Sequence, residues 1–232
     1  MKINFIQAAK MKVSGSALVI LTSKEVVDKS DNLIIKRAKE SLDFKGKKDQ
    51  VVVVNSNLDA DLVLLASVGK EKEFNDLRAQ NLGGIIAAKL NSLGVKRANI
   101  LFDGGVIDID PVAGDLGKLA ASLVFGLKLQ NYRFNKYFQD KAEGKGIKFQ
   151  EVDVVVNEVS EAKSEFSRLD LVADNIFFAR DLVSEPSNVL DPEHYANLCK
   201  ELEDYGVEVE ILGEARMEEL GMNSLLAVGK GS

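Results

Sequence analysis

Histidine and cysteine, two side chains that often ligate metals or act in catalysis, each occur once in the sequence, as His194 and Cys199. One of each cannot build a zinc site of Cys and His ligands or the paired histidines of a zinc-protease helix. His194 stands at the start of a predicted helix, so we interpret it as a first-turn residue rather than a ligand. Cys199 shares a helix face with Tyr195, Leu198 and Leu202, which favours a small buried hydrophobic residue over a nucleophile.

Three aspartates in the segment LFDGGVIDIDP (101–111) could bind a hard cation through oxygen: Asp103, Asp108 and Asp110. Carboxylates at the junction between a strand and a helix commonly cap and solvate that junction, and this is the interpretation we favour. The sequence contains no GxxxxGK[ST] motif, and GKG at 144–146 lacks the third glycine of a dinucleotide fingerprint. We therefore predict a turn at GKG.

A basic stretch, IIKRAKESLDFKGKK (34–48), could contact the phosphates of a nucleic acid. Glu40 and Asp43 lie among its basic residues, and Phe44 is its only side chain that could stack on a base. We therefore favour a solvated helix and loop. The basic residues are Lys36, Arg37, Lys39, Lys45, Lys47 and Lys48.

Length and composition bound the remaining possibilities. The chain has 232 residues, of which 46% are hydrophobic, enough for one large core or for one domain and part of another. No apolar run reaches the roughly eighteen residues that a membrane span needs. Lys10 and Lys12 interrupt the first segment, so we expect no secretory signal. A single cysteine fits a reducing compartment, and we expect a cytoplasmic protein without membrane contact.

Short apolar runs alternate with helical periods along most of the chain, which predicts an α/β domain with a mixed sheet flanked by helices. Two helices are predicted between the strands, at 77–93 and 114–130, and Gly94 ends the first of them. The predicted strands are INFIQA, ALVILT, VVVVN, LVLLASVG, ANILFDG and FQEVDVVVN.

Residues 160–184 predict a long linking helix free of glycine and proline. After it, Asp191 as a cap and Pro192 at the first helical position predict a new helix that ends at Gly206. The alternating segment VEVEIL (207–212) then predicts a strand. The apolar face of the linking helix comprises Ala162, Phe166, Leu169, Ala173, Ile176 and Phe177 and extends to Arg180.

The balance of charge changes where the linking helix ends. Residues 1–180 carry 27 basic and 24 acidic side chains, whereas 181–232 carry 3 and 12. This change coincides with a proline-marked loop, so we predict a domain boundary there. The predicted division is an N-terminal domain at 1–159, a linking helix at 160–184 and the first elements of a further α/β domain at 185–232.

Three segments of the chain resemble leucyl aminopeptidases of the M17 metallopeptidase family. Residues 179–232 resemble the segment that leads into the catalytic domain of these enzymes. The resemblance includes a core with RDLV, EP, N, L and P and the closing run GMNSLLAVGKGS. FGLKLQNYRFNKY (125–137) resembles a pattern near the end of their N-terminal domain, and the strand, helix and strand from LLASVG to RANILF resemble the part before it. The matching positions, to which we assign a structural role, are Arg180, Asp181, Glu185, Pro186, Asn188 and Pro192.

The resemblance implies a larger parent enzyme with a macro-domain-like N-terminal domain and a catalytic domain that removes N-terminal residues from peptides. It also implies two divalent metals, Mn or Zn, and a hexamer. The family's metal ligands stand on a Gly-Lys-Gly…Phe-Asp-x-Gly-Gly…Lys-Pro motif and an Asn-Thr-Asp-Ala-Glu-Gly-Arg motif, and neither occurs here. FDGG (102–105) lies in the N-terminal domain, and GKGS (229–232) precedes the ligand motif.

We therefore expect this chain to hold no catalytic or metal-binding residue, to be inactive alone, and to contribute assembly, access and contacts with its own catalytic domain. The alternative is a macro-like binding module for a nucleotide or nucleic acid, using Gly104-Gly105 and the basic stretch 36–48. No phosphate-loop signature supports it, and the net charge of −6 disfavours nucleic acid. In the tail, we expect 207–212 and Leu225–Val228 to belong to an incomplete sheet, so that the tail either pairs with a neighbouring copy or packs weakly and is mobile.

Overall fold

The computed structural model describes residues 1–102, 114–137 and 149–230. The aspartates at 103, 108 and 110, the pair Gly104-Gly105 and the GKG at 144–146 therefore lie outside the described residues. Every predicted strand of the N-terminal part is confirmed. The strands are β1 Lys2–Ile6, β2 Ala17–Thr22, β3 Val51–Val54, β4 Leu62–Ser67, β5 Arg97–Leu101 and β6 Glu151–Val155.

These strands form one mixed sheet in the order β1-β6-β5-β2-β4-β3. All neighbours are parallel except β3, which runs antiparallel to β4. The central strand β2 is buried along its whole length, as expected of an aliphatic strand that is covered on both faces. The predicted α/β class with a mixed sheet is confirmed.

Helices cover the sheet, and most begin at a polar residue that caps them. The side-chain oxygens of Ser23, Asn32, Asn75 and Asp115 each accept a hydrogen bond from a first-turn N–H, which satisfies a donor that the helix itself cannot. The helices of this part are α1 Lys24–Lys29, α2 Leu33–Leu42, α3 Asp76–Ser92, α4 Leu116–Gln130 and α5 Val159–Ser184.

The two faces of the sheet support separate hydrophobic clusters. Val19 and Ile100 belong to the cluster that α3, α4 and the first half of α5 complete. Leu18 and Leu65, on the opposite face, belong to the cluster that includes Val27, Ile35 and Phe44 from α1, α2 and the following loop. Alternate residues of one strand therefore serve different layers, as the pleat requires.

Helices α3 and α4 cross with their backbones in contact. A Cβ atom at Gly83 would collide with the carbonyl oxygen of Leu123, and one at Gly126 would collide with that of Gln80. Any larger residue would force the helix axes apart, because the separation of packed helices is set by the side chains at their crossing. Glycine is therefore required at both positions by packing rather than by its backbone angles.

The linking helix is confirmed as α5, and its predicted apolar face is confirmed only in its first half. Ala162, Phe166 and Ala173 are buried, and the Phe166 ring lies 5.6 Å from that of Phe5. Ile176 and Phe177 are half-buried. The side chain of Arg180, which we placed on the same face, is exposed.

Backbone contacts divide the chain into two units, Met1–Ala179 and Arg180–Ser232. The predicted boundaries at 159 and 184 remain predictions, since the contact boundary falls inside α5. The second unit contains α6 Pro192–Lys200, which continues as a 3-10 turn over Glu201–Tyr205. Gly206 then adopts the left-handed conformation, with φ of +80°, as predicted for the end of this helix. The unit's remaining helices are α7 Glu214–Glu219 and α8 Asn223–Lys230.

Two predictions for the tail are wrong. Residues 207–212 form no strand, and Leu225–Val228 lie in α8. Alternation of side chains is not sufficient for a strand, because its backbone must also find a neighbouring strand to pair with. Among the described residues of this unit, Leu226 is the only buried hydrophobic side chain, which agrees with the weak packing that we expected. No described helix of the chain combines the length and the apolar character needed to cross a membrane.

The crossing of α3 and α4 can be tested with two neighbouring glycines of α3. Gly83→Ala should lower the free energy of unfolding by about 3 kcal/mol, because its methyl group meets backbone atoms that cannot rotate away. Gly84→Ala should instead stabilise by about 0.5–1 kcal/mol through its helix propensity, since its Cβ has 3.8 Å to the nearest atom. Urea unfolding of both variants measures the difference. Equal effects at the two positions would contradict the crossing.

Candidate functional site

The family-motif residues lie at the end of α5 and the start of α6. Arg180 and Asp181 are in the last turns of α5, and the N–H of Glu185 donates to the carbonyl of Asp181 (3.0 Å). A single turn follows, in which the carbonyl of Pro186 accepts hydrogen bonds from the N–H groups of Val189 (2.9 Å) and Leu190 (3.0 Å). Glu185 is half-buried, whereas the exposed members are Arg180, Asp181, Pro186, Asn188 and Pro192.

Helix α6 begins as its sequence predicts. The Asp191 carboxylate accepts a hydrogen bond from the N–H of His194 (2.7 Å), and Pro192 occupies the first helical turn. His194 is exposed and is a first-turn residue, as interpreted from the sequence. Cys199 is only partly buried, less than we predicted. The Asp191 side chain thus caps α6, and the backbone of 185–190 forms the turn between α5 and α6.

A cluster between α4 and α5 was not found by sequence reasoning. The Lys128 ammonium donates to the carboxylates of Asp170 (2.5 Å) and Asp174 (2.6 Å). The ring of Phe177 stacks on that of Tyr132 with centroids 5.2 Å apart, and Lys128 Nζ lies 5.7 Å from the Phe177 centroid. Lys128 and Tyr132 both belong to FGLKLQNYRFNKY, so this segment holds the second half of the linking helix.

The charge of Lys128 is stabilised in this cluster. Burial lowers the pKa of its ammonium, but the hydrogen bonds to Asp170 and Asp174 outweigh burial and raise the pKa above its ordinary value. Its ion pairs are therefore fully formed at neutral pH. At alkaline pH they would be lost as the pH rises through the raised pKa of Lys128.

A second polar cluster occupies the face of β1, β6 and β5 that α1 and α2 leave uncovered. Asp153, with 5% of its surface exposed, accepts hydrogen bonds from Asn4 (2.7 Å) and from the guanidinium of Arg97 (2.6 Å). The hydrogen bond to Asp153 raises the pKa of Arg97. The signal in the sequence was an aspartate between Val152 and Val154 in the middle of β6, and the periodicity of the strand did not indicate its role. Asp153 is thus a buried carboxylate paired with Arg97, whose guanidinium also lies 3.9 Å from the carboxylate of Glu151.

The described residues offer no support for a nucleic-acid site, and the candidate cation ligands at 103, 108 and 110 lie outside them. In the described residues, no group of three or more His, Cys, Asp or Glu side chains could hold a metal ion. Within the basic stretch, Lys36, Lys45 and Lys48 form ion pairs with nearby aspartates, and Lys39 donates to the Val27 carbonyl. Phe44, the one candidate for stacking on a base, is fully buried.

Two family models match the chain. Residues 10–141 match the N-terminal domain of the cytosol aminopeptidase family, and residues 177–232 match the catalytic domain of the same family. The second match begins near the predicted domain boundary at the end of the linking helix.

Curated relatives of similar sequence include two that align with nearly the whole chain. The probable cytosol aminopeptidase of Sinorhizobium fredii is 33% identical over 245 residues, covering 100% of this chain and 47% of the relative. That of Methylorubrum extorquens is 34% identical over 224 residues, covering 96% of this chain and 42% of the relative. The chain therefore spans less than half the length of these relatives.

Solved structures share the fold. A mutant of tomato leucine aminopeptidase superposes with a TM-score of 0.73 at 18% identity, covering 95% of this chain and 46% of that protein. The bottromycin maturation enzyme BotP in complex with Mn superposes with a TM-score of 0.62 at 16% identity, covering 90% and 40%.

The Lys128 cluster can be tested with two lysines of the same helix. Lys128→Met should lower the free energy of unfolding by about 1–2 kcal/mol, because two carboxylates lose a partly buried cation. Lys118→Met removes an exposed ion pair to Asp76 (2.9 Å) and should have little effect. Thermal unfolding at neutral pH compares them. If Lys128→Met melts like the parent protein, the cluster does not hold α5.

Proposed function

Since the chain belongs to the cytosol aminopeptidase family, we propose that it forms the N-terminal portion of an enzyme that removes amino acids from the N-termini of peptides. Within that enzyme, the unit 1–179 serves assembly and access to the active site, and 180–232 leads into the catalytic domain. The chain by itself does not hydrolyse peptides. The observation that carries this proposal is the division of the family matches, with the catalytic model reached only from residue 177 onward.

The metal chemistry of the proposed parent lies outside the described residues. Two divalent cations, Mn or Zn, would supply an activated water and a polarised scissile carbonyl when bound. Several convergent oxygen or nitrogen ligands are needed to hold them, and the described residues do not fit that requirement. We therefore assign no reaction step to a residue of this chain. The Mn in the BotP complex supports manganese as one candidate.

A role in assembly is supported by apolar side chains on the outer side of α5. Leu171 is 67% exposed and Phe178 is 51% exposed, although both lie on a helix whose other face is anchored by Lys128. Large apolar side chains left in water on an ordered helix are typical of protein interfaces. We propose that they contact other copies or the catalytic domain in a hexamer. The name of the relatives, cytosol aminopeptidase, and the single cysteine support a cytoplasmic location.

The proposed inactivity can be tested directly. Purified 1–232 with Mn²⁺ or Zn²⁺ should hydrolyse a leucyl anilide no faster than buffer with the same metal, because the described residues offer no dimetal site. The positive control is a fusion of 1–232 to the remaining catalytic portion of the Sinorhizobium fredii relative, which should turn over. Metal-dependent hydrolysis by 1–232 that survives repurification and disappears with a chelator would overturn the proposal.

A further inference from the structure

Strand β1 is an edge of the sheet, and among the described residues its outer side has no strand partner. It pairs with β6 alone, for example through the N–H of Lys2, which donates to the carbonyl of Gln150 (2.7 Å). Hydrogen-bonding groups of successive residues point to opposite edges of a strand. The N–H and C=O groups of Ile3 and Phe5 therefore point away from β6. Such an edge is a template for one more strand.

A cleft of about 920 Å³ runs along this edge within the N-terminal unit. On one side of β1, Val159 and Phe166 of α5 meet Ile3 and Phe5, and Ser160, Lys163 and Ser167 of the same helix also line the cleft. The opposite side holds the cluster around Asp153. The cleft therefore offers a different chemistry to each face of an added strand.

The polar side of the cleft carries unneutralised positive charge. Lys10 and Lys12 line it, and the backbone carbonyl of Lys12 accepts a hydrogen bond from Asn99 (3.0 Å), which places this segment over the polar face. Neither lysine forms an ion pair with an acidic side chain among the described residues. The lining carboxylate, Asp153, is already paired with Arg97. The site is thus basic in a chain whose net charge is −6.

We propose that this cleft binds an extended acidic segment of another polypeptide, which adds to β1 as a seventh strand. Side chains of an added strand alternate between its faces. Apolar residues would face Val159 and Phe166, while alternate acidic residues would face Lys10 and Lys12. Main-chain bonds to Ile3 and Phe5 would supply affinity, and the two faces would supply selectivity, as in other cases of strand addition. This site is independent of the proposed peptidase chemistry.

The probe is a fluorescein-labelled peptide, acetyl-VEVEVE-amide, titrated with the complete chain while anisotropy is recorded. Binding should weaken about tenfold or more in the double variant Lys10→Glu/Lys12→Glu, because two favourable charge pairs become repulsive. The control Arg37→Glu/Lys47→Glu reverses two exposed charges on α2 and the loop after it and should bind like the parent chain. Circular dichroism verifies that both variants fold, as expected for exposed side chains.

Two further ligands separate strand addition from simple charge attraction. The peptide VEVEVE with N-methyl groups on alternate residues keeps its charges but cannot complete the ladder, and it should bind at least tenfold more weakly. VKVKVK should not bind. The proposal is overturned if the N-methylated peptide or a single-stranded oligothymidylate binds as tightly as VEVEVE through the same lysines. It is also overturned if VEVEVE fails to bind the parent chain.

Discussion

The close crossing of α3 and α4 is the constraint on which the N-terminal unit depends. Gly83 and Gly126 let the two backbones touch, and this brings Leu82, Leu123 and their neighbours down onto one face of the sheet. A wider crossing would open voids in a core that is packed at crystal-like density. Because Lys128 lies on α4 and Tyr132 follows its end, the same crossing also determines the position of α5.

Charge has different uses in the two halves of the sheet. On β1, β6 and β5 a polar cluster around Asp153 replaces a covering helix, and Arg97 offsets the cost of burying its carboxylate. Over β2 and β4, α1 and α2 give an apolar layer instead. This asymmetry leaves β1 accessible at the edge, beside a cleft that Lys10 and Lys12 line. The edge proposed for strand addition thus arises from the order of the sheet.

The sequence predicted what local patterns control. Runs such as ALVILT and the long period of 160–184 were sufficient to predict β2 and α5, because a buried strand and an amphipathic helix each have a distinct period. Contacts between distant residues could not be predicted in this way. Lys128 and Asp170 are 42 positions apart. Likewise, nothing in the sequence around Gly83 indicates that this residue packs against the backbone of Leu123. The segment VEVEIL failed for the same reason, since a strand depends on a partner elsewhere in the chain.

The central claim is that residues 1–179 fold as a unit by themselves, whereas residues 180–232 form a segment whose described part has no hydrophobic core of its own. Amide hydrogen exchange of the complete chain tests it most directly. The account predicts that amides of β2, α3 and α4 exchange together at the slowest, globally limited rates. Amides of α6, α7 and α8 should exchange orders of magnitude faster, with Leu226 as their one buried hydrophobic anchor among the described residues. Equal protection in α6–α8 and in α3–α4 would contradict the account.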